Sequence, residues 1–294
     1  MGRGVGFVVA ALSVLALSAS AGAASSEGLI VFPAAPASGQ AVQLYSVGAS
    51  GLGLKQLTTG SKPALDPVFS PAGRKIAFAR FGVGIFTMNA DGSGLRRLTT
   101  NGRDAYPTWS PNGAKVAFVR PVGAAWRVFV MPAAGGKATK LRQSPPAGRP
   151  SWTKAGLLVP TGGDLLRIDP KNGRVLKYYN ANIDAIWGLN SVAIAPTVSQ
   201  LAYVGSREPE SGDMECGDGP CQRFGLYLES LTAKKKKPKL IVKDTGSAAF
   251  SPDGKRLVFV TGGALVVRPV GSTARTTIPT GDVVPAEVGP PAWH

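Results

Sequence analysis

The chain has 294 residues, a formal net charge of +16 and 44% hydrophobic residues. That apolar content supports a full core and excludes wholesale disorder, while the basic balance favours anionic partners without specifying one. Gly (38) and Pro (24) are abundant with no collagen-like period, which suits many short strands joined by tight turns.

Residues 1–24, MGRGVGFVVAALSVLALSASAGAA, read as a secretory signal peptide. Arg3 supplies a positive start, Val5–Leu17 is an uncharged run of 13 residues, and small-residue cleavage sites follow at 19–21 and 21–23. The run is short for a membrane span, and no later stretch could make one. The expected mature protein is therefore one domain over residues 25–294, periplasmic, in the cell envelope or secreted, with no transmembrane segment after signal removal.

An internal repeat runs through that domain. PVFSPAGRKIAFAR (67–80) returns as PTWSPNGAKVAFVR (107–120), then in degraded form as PSWTKAGLLVP from Pro150. VAIAPTVSQLAYVG follows from Val192 and AAFSPDGKRLVFV from Ala248, and PAWH (291–294) opens a sixth copy. The bulky third residue of each copy is Phe69, Trp109, Trp152, Ile194, Phe250 or Trp293, spaced 40, 43, 42, 56 and 43 residues apart. Without the insertion that lengthens the fourth gap, the period is ~40–45 residues, that of a four-stranded propeller blade.

Each copy reads as strand A ending at Ser-Pro, a turn with Pro at 71, 111 or 252 and Gly at 73, 113 or 254, and then strand B. Strand C follows as GIFTMN (84–89), RVFVMP (127–132), LLRID (165–169), LYLES (226–230) and LVVRP (265–269), and strand D as RRLTT, TKLRQ, RVLKY and KLIVK. No window holds a 3.6-residue apolar period, so almost no helix is expected outside the signal peptide. Residues 28–32, 41–47 and 54–59 supply strands B, C and D of a first blade that lacks strand A, which Ala292–Trp293 would provide by pairing with residues 29–32. The fold class is all-β: a six-bladed β-propeller of four-stranded antiparallel blades, closed by pairing of N- and C-terminal strands. Basic residues near strand D (Lys55, Arg96, Arg97, Lys140, Lys239) would guard the outer edges. The bulky residues at 69, 109, 152, 250 and 293 read as fillers between blades.

The pattern PxWSPxGxxxAF followed by MNADGSGLRRLT resembles the repeats of the TolB-type propeller family, related in design to WD-repeat proteins. The likeness is closest over 66–120 and 250–260 and weaker in the fourth and fifth blades. It implies a six-bladed propeller with a binding role on the envelope side. It does not imply membership of a Tol–Pal complex, because strands begin directly after the signal segment, where TolB carries an α/β domain.

Catalytic signatures are missing from the sequence. The only histidine is His294, no G-x-S-x-G surrounds a serine, and neither a P-loop nor G-x-G-x-x-G occurs. Cys216 and Cys221, the only cysteines, lie in an insertion (205–223) of the fifth full repeat and would close a small loop disulfide in an oxidising compartment. With one histidine, a zinc site lacks ligands. The insertion's carboxylates read as a solvated acidic loop, with calcium as the alternative. No cofactor and no metal are expected.

In a propeller the A–B and C–D turns share one face, and the D–A and B–C loops share the other. The first face collects Lys and Arg, including Lys234–Lys237, and suits weak polyanion binding. The second is mixed in charge and carries the longest loop, where binding on a rigid scaffold usually resides. Its candidate ligand-binding residues are Asp66, Arg80, Asp104, Tyr106, Arg120, Arg149 and Trp187. The expected function is a monomeric, exported, non-enzymatic module for a protein or envelope polymer, with no nucleic acid. The alternative is a carbohydrate lyase or hydrolase using loop carboxylates.

Overall fold

The computed structural model describes residues 28–36, 39–161, 164–179, 192–207, 223–232, 238–243, 245–286 and 289–294. The expected signal peptide, Trp187, Lys234–Lys237 and the Cys216–Cys221 pair all lie outside them. The described residues form six antiparallel sheets and no helix. Five sheets have four strands in simple meander order, and the sixth joins the two ends of the domain.

The repeat motif has a physical role in each blade. In blade 2, strand A (Ala64–Phe69) turns through Ser-Pro-Ala-Gly into strand B (Lys75–Arg80). Ser70 Oγ accepts the Lys75 N–H at 3.0 Å, and the Ser110–Lys115 and Ser251–Arg256 turns repeat the bond at 2.9 Å. The serine thus staples the turn that Gly73, at φ +68°, allows to close. Threonine in the recurrent Leu-Thr-Thr does a similar job beyond strand D: buried Thr58 and Thr99 accept the N–H groups of Leu44 and Ile85 on strand C. Strand D itself is only two residues long in blades 1, 2 and 3 (Lys55–Gln56, Arg96–Arg97, Thr139–Lys140), and all six residues are exposed. The outer edges of these three blades are therefore short and polar or basic, which suppresses pairing with other chains.

Alternation along strands B and C buries one side chain set against each neighbouring blade. Phe78, Ile76 and Met88 pack with Val31 and Leu44 of blade 1, while Ala77, Ala79 and Ile85 pack with Val116 and Phe118 of blade 3. Phe69, Trp109, Phe250 and Trp293 are buried as expected, with Trp152 only partly so. The Trp109 indole donates to the Val68 carbonyl of the preceding blade at 3.2 Å, giving the inter-blade filler a polar tether.

The ring closes as the repeat arithmetic requires. Trp293 pairs with Ile30 and Ala292 with Val31, and the His294 N–H donates to the Leu29 carbonyl at 2.9 Å. Blade 1 differs from expectation in one respect. Its inner strand comes in two pieces, because Val283–Pro285 also pairs with Ala34–Pro36 on the same strand B. Strand B of blade 1 (Leu29–Pro36) is eight residues long, so the two residues at 292–293 leave its far half open for the second piece.

Backbone bonds place the turns on the two faces. The A–B and C–D turns meet on one face, as in Ala90 N–H to Arg74 O and Ala133 N–H to Ala114 O, both at 2.9 Å. At the other face the B–C turn meets the D–A loop, as in Phe81 N–H to Pro63 O at 2.9 Å. In blade 5, Gln200–Arg207 and Arg223–Ser230 stay paired out to Arg207–Arg223, so the insertion springs from the tip of this B–C hairpin.

Candidate functional site at the D–A/B–C face

Inner strands of a propeller start at the D–A face and run along the axis, so their first residues converge. Counting three residues back from each bulky filler gives Asp66, Tyr106, Arg149, Ser191, Ser247 and Pro290. The first three are brought together. Arg149 Nη2 lies 3.3 Å from Asp66 Oδ1, the Tyr106 N–H donates to the Asp66 carboxylate, and the guanidinium carbon of Arg149 stands 5.7 Å from the Tyr106 ring centre. Successive blades 2, 3 and 4 thus each give one residue to a single cluster.

The backbone is bent to build it. Asp66 and Tyr106 have φ of 57° and 55°, and each precedes a proline. The pairing register shifts at both places, between Leu65 and Val68 and between Ala105 and Thr108. These are bulges in the inner strand, and bulges of this kind re-aim side chains at strand ends. A left-handed conformation costs a non-glycine residue about 1–3 kcal/mol and persists only where surrounding structure enforces it. Two such residues in adjacent blades, both feeding one cluster, mark a built site.

Burial dominates its electrostatics. Desolvation pushes the Asp66 carboxyl above its ordinary range, although Arg149 and the Tyr106 N–H pull it back, and it lowers the Arg149 guanidinium. The Tyr106 hydroxyl is pushed up to about 12, first by burial and then by the Asp66 charge. The stability associated with neutral Tyr106 is then fully present below about pH 10, the unfolded value, and is lost as pH rises through about 12. An ultraviolet titration of the protein minus that of Tyr106→Phe should give a difference curve with its midpoint near 12. A midpoint near 10, the unperturbed value, would contradict the burial of this hydroxyl.

Two hollows flank the cluster. One is the axial channel, about 310 Å³, walled by strand A residues of all six blades, with Arg149 at its D–A end and Ser70, Ser251 and His294 at the other. The second is a groove of about 600 Å³ between blades 2 and 3, lined by Asp66 and Tyr106 together with Phe81, Arg103, Asp104 and Trp126. Phe81 is 69% exposed and Trp126 38%. Among the described residues no group of three or more His, Cys, Asp or Glu side chains could hold a metal ion.

Of the remaining candidates, Asp104, Arg120 and Arg80 have structural partners. Asp104 is buried and receives Arg120 in a two-pronged contact at 2.6 and 2.7 Å, with the guanidinium carbon 4.7 Å from the Phe129 ring centre. Arg80 donates to the carbonyls of Thr59 and Lys62 at 3.0 and 3.3 Å, tying the D–A loop to strand B. Both arginines lie at the far end of strand B in their blades and brace the loops that flank the groove. The groove aromatics Phe81 and Trp126 were not among the candidates; the available signal was Phe81 immediately before Gly82 in a tight B–C turn, where an apolar ring has no core to fill.

Comparison with protein-family models and with curated proteins finds no match. Solved structures do match. TolB from Acinetobacter baumannii superposes with a TM-score of 0.67 at 19% identity, covering 90% of this chain and 66% of that one. A chain of the nidogen/laminin complex gives 0.63 at 12% identity, covering 90% of this chain and 98% of that one. A putative TolB from Agrobacterium tumefaciens gives 0.55 at 12%, covering 85% and 87%. With the sheet order and ring closure above, these likenesses identify the fold as a six-bladed β-propeller, similar to that of the TolB structures.

Proposed function

We propose that this chain is an exported, non-catalytic binding module that takes a protein partner on its D–A/B–C face. The observation that carries the reading is the groove between blades 2 and 3. Phe81 and Trp126 stand exposed there at the B–C hairpins of blades 2 and 3, beside Tyr106, whose own backbone is held in one of the two strained bulges. Exposed aromatic rings on a rigid rim are the usual anchors of protein recognition. Arg103 adds a cation to the rim, so the matching partner presents an apolar side chain next to an acidic one. The match to a chain in a structure of the nidogen/laminin complex supports a propeller acting as a protein-binding surface. Among the described residues the axial channel has no Asp or Glu in its wall, which favours binding over the carboxylate-based alternative.

The test is capture from an envelope extract by the immobilised protein, with two variants. Phe81→Ser combined with Trp126→Ala should lose the specific partner while melting like the parent. Replacing Lys234–Lys237 with Gln should weaken retention on heparin, with steep salt dependence, and leave capture intact. Loss of capture in the lysine variant alone would move the binding surface to the opposite face.

A further inference from the structure

Arg149 is among the least exposed charged side chains in the described residues and also among the worst satisfied. Its side chain is 10% exposed, its ionic contact is the single 3.3 Å approach of Nη2 to Asp66, and Nη1 has no hydrogen-bond partner among the described residues. The contrast with Arg120 is informative: that guanidinium is more exposed, yet it holds its carboxylate by two bonds at 2.6 and 2.7 Å. Buried donors in native proteins are nearly always paired, and an orphan in a structured site calls for a reason. Arg149 lines the axial channel, where prolines, alanines and serines make up much of the wall. Among the described residues it is the only Lys, Arg, Asp or Glu side chain in that lining.

We propose that the axial channel binds a carboxylate group, received by the Arg149 guanidinium. A planar guanidinium edge matches a carboxylate in geometry. Apolar walls strengthen such a contact by excluding competing water. The charge of the site selects the anion. With Asp66 already beside Arg149, the pair is close to neutral, so a singly charged carboxylate is accommodated while a doubly charged phosphate meets the Asp66 charge at close range. Because Nη1 is itself buried, the guanidinium rotates slightly towards the channel when the carboxylate arrives, and its long hold on Asp66 permits that movement. The carboxylate comes either from a free small acid or from the end of a peptide. This inference concerns the channel and does not depend on the groove partner.

Isothermal titration of the full chain with propionate, with a short peptide carrying a free C-terminus, with the same peptide amidated, and with inorganic phosphate tests it. Saturable binding is expected for propionate or the free-acid peptide, at least tenfold weaker for the amide and for phosphate. Equal propionate and peptide affinities assign a small acid, and tighter peptide binding assigns a chain end. Arg149→Met should weaken carboxylate binding at least tenfold. Should that variant fail to fold, Ala193→Phe, which narrows the channel without touching the Asp66–Arg149 contact, should produce the same loss. No saturable carboxylate binding, undiminished binding in a folded Arg149→Met or Ala193→Phe protein, or equal binding of phosphate would overturn the proposal. The first of these would mean that a trapped water alone serves Nη1.

Discussion

Replacing Asp66 with Ala should destabilise the folded ring by about 3–5 kcal/mol, because it leaves the Arg149 guanidinium buried without its counter-charge. The change also deprives the Tyr106 N–H of its acceptor in a bulge that already holds a left-handed tyrosine. For a domain of this size the melting temperature should fall by on the order of 10 °C. The double variant Asp66→Ala/Arg149→Met removes both charges and should recover much of the loss, as buried ion pairs replaced by apolar groups often do. If the single variant melts within a degree or two of the parent, the pair is not a structural element of the axis.

Trp293→Ala should have a comparable effect through a different cause. Trp293 is 7% exposed and packs with Ile30, Val47, Val258 and Val260, so it fills the seam between the first and last blades. Truncating a buried tryptophan costs about 3–5 kcal/mol. The Arg256 guanidinium carbon stands 4.6 Å from the Trp293 ring centre, and the same truncation removes this cation–ring stacking. Thermal melts should show one cooperative transition at a lower temperature. A two-step melt would mean that the seam opens by itself while the other blades persist.

Much of the architecture was legible because the residues that form it act locally. Ser-Pro-x-Gly closes its own turn, and the alternation in IAFA or VAFV sorts its own faces, so strands A, B and C could be placed without knowledge of the ring. The bulges at Asp66 and Tyr106 were not legible. A residue before proline is ordinarily extended, and nothing in Asp-Pro or Tyr-Pro announces a left-handed backbone. Their conformation follows from neighbouring blades. The pairing of Asp104 with Arg120 was equally hidden: both appeared as loop charges on the binding face, and only the closing of strand A onto strand B makes them partners. The split inner strand of blade 1 depends on how far strand B outlasts a two-residue partner, which spacing alone does not encode.

The contact between Asp66 and Arg149 also has a bearing on how this protein tolerates change in the number of its repeats. In a repeat array each unit normally senses only its immediate neighbours, so a unit added by duplication offends no existing interface. Asp66 and Arg149 belong to blades 2 and 4, and their contact skips the blade between them. Duplicating blade 3 would preserve every side-by-side seam yet carry the two charges apart, and any other added blade would widen the axis they face. The skipped-neighbour pair therefore registers that a single blade stands between blades 2 and 4, where the seams register only adjacency.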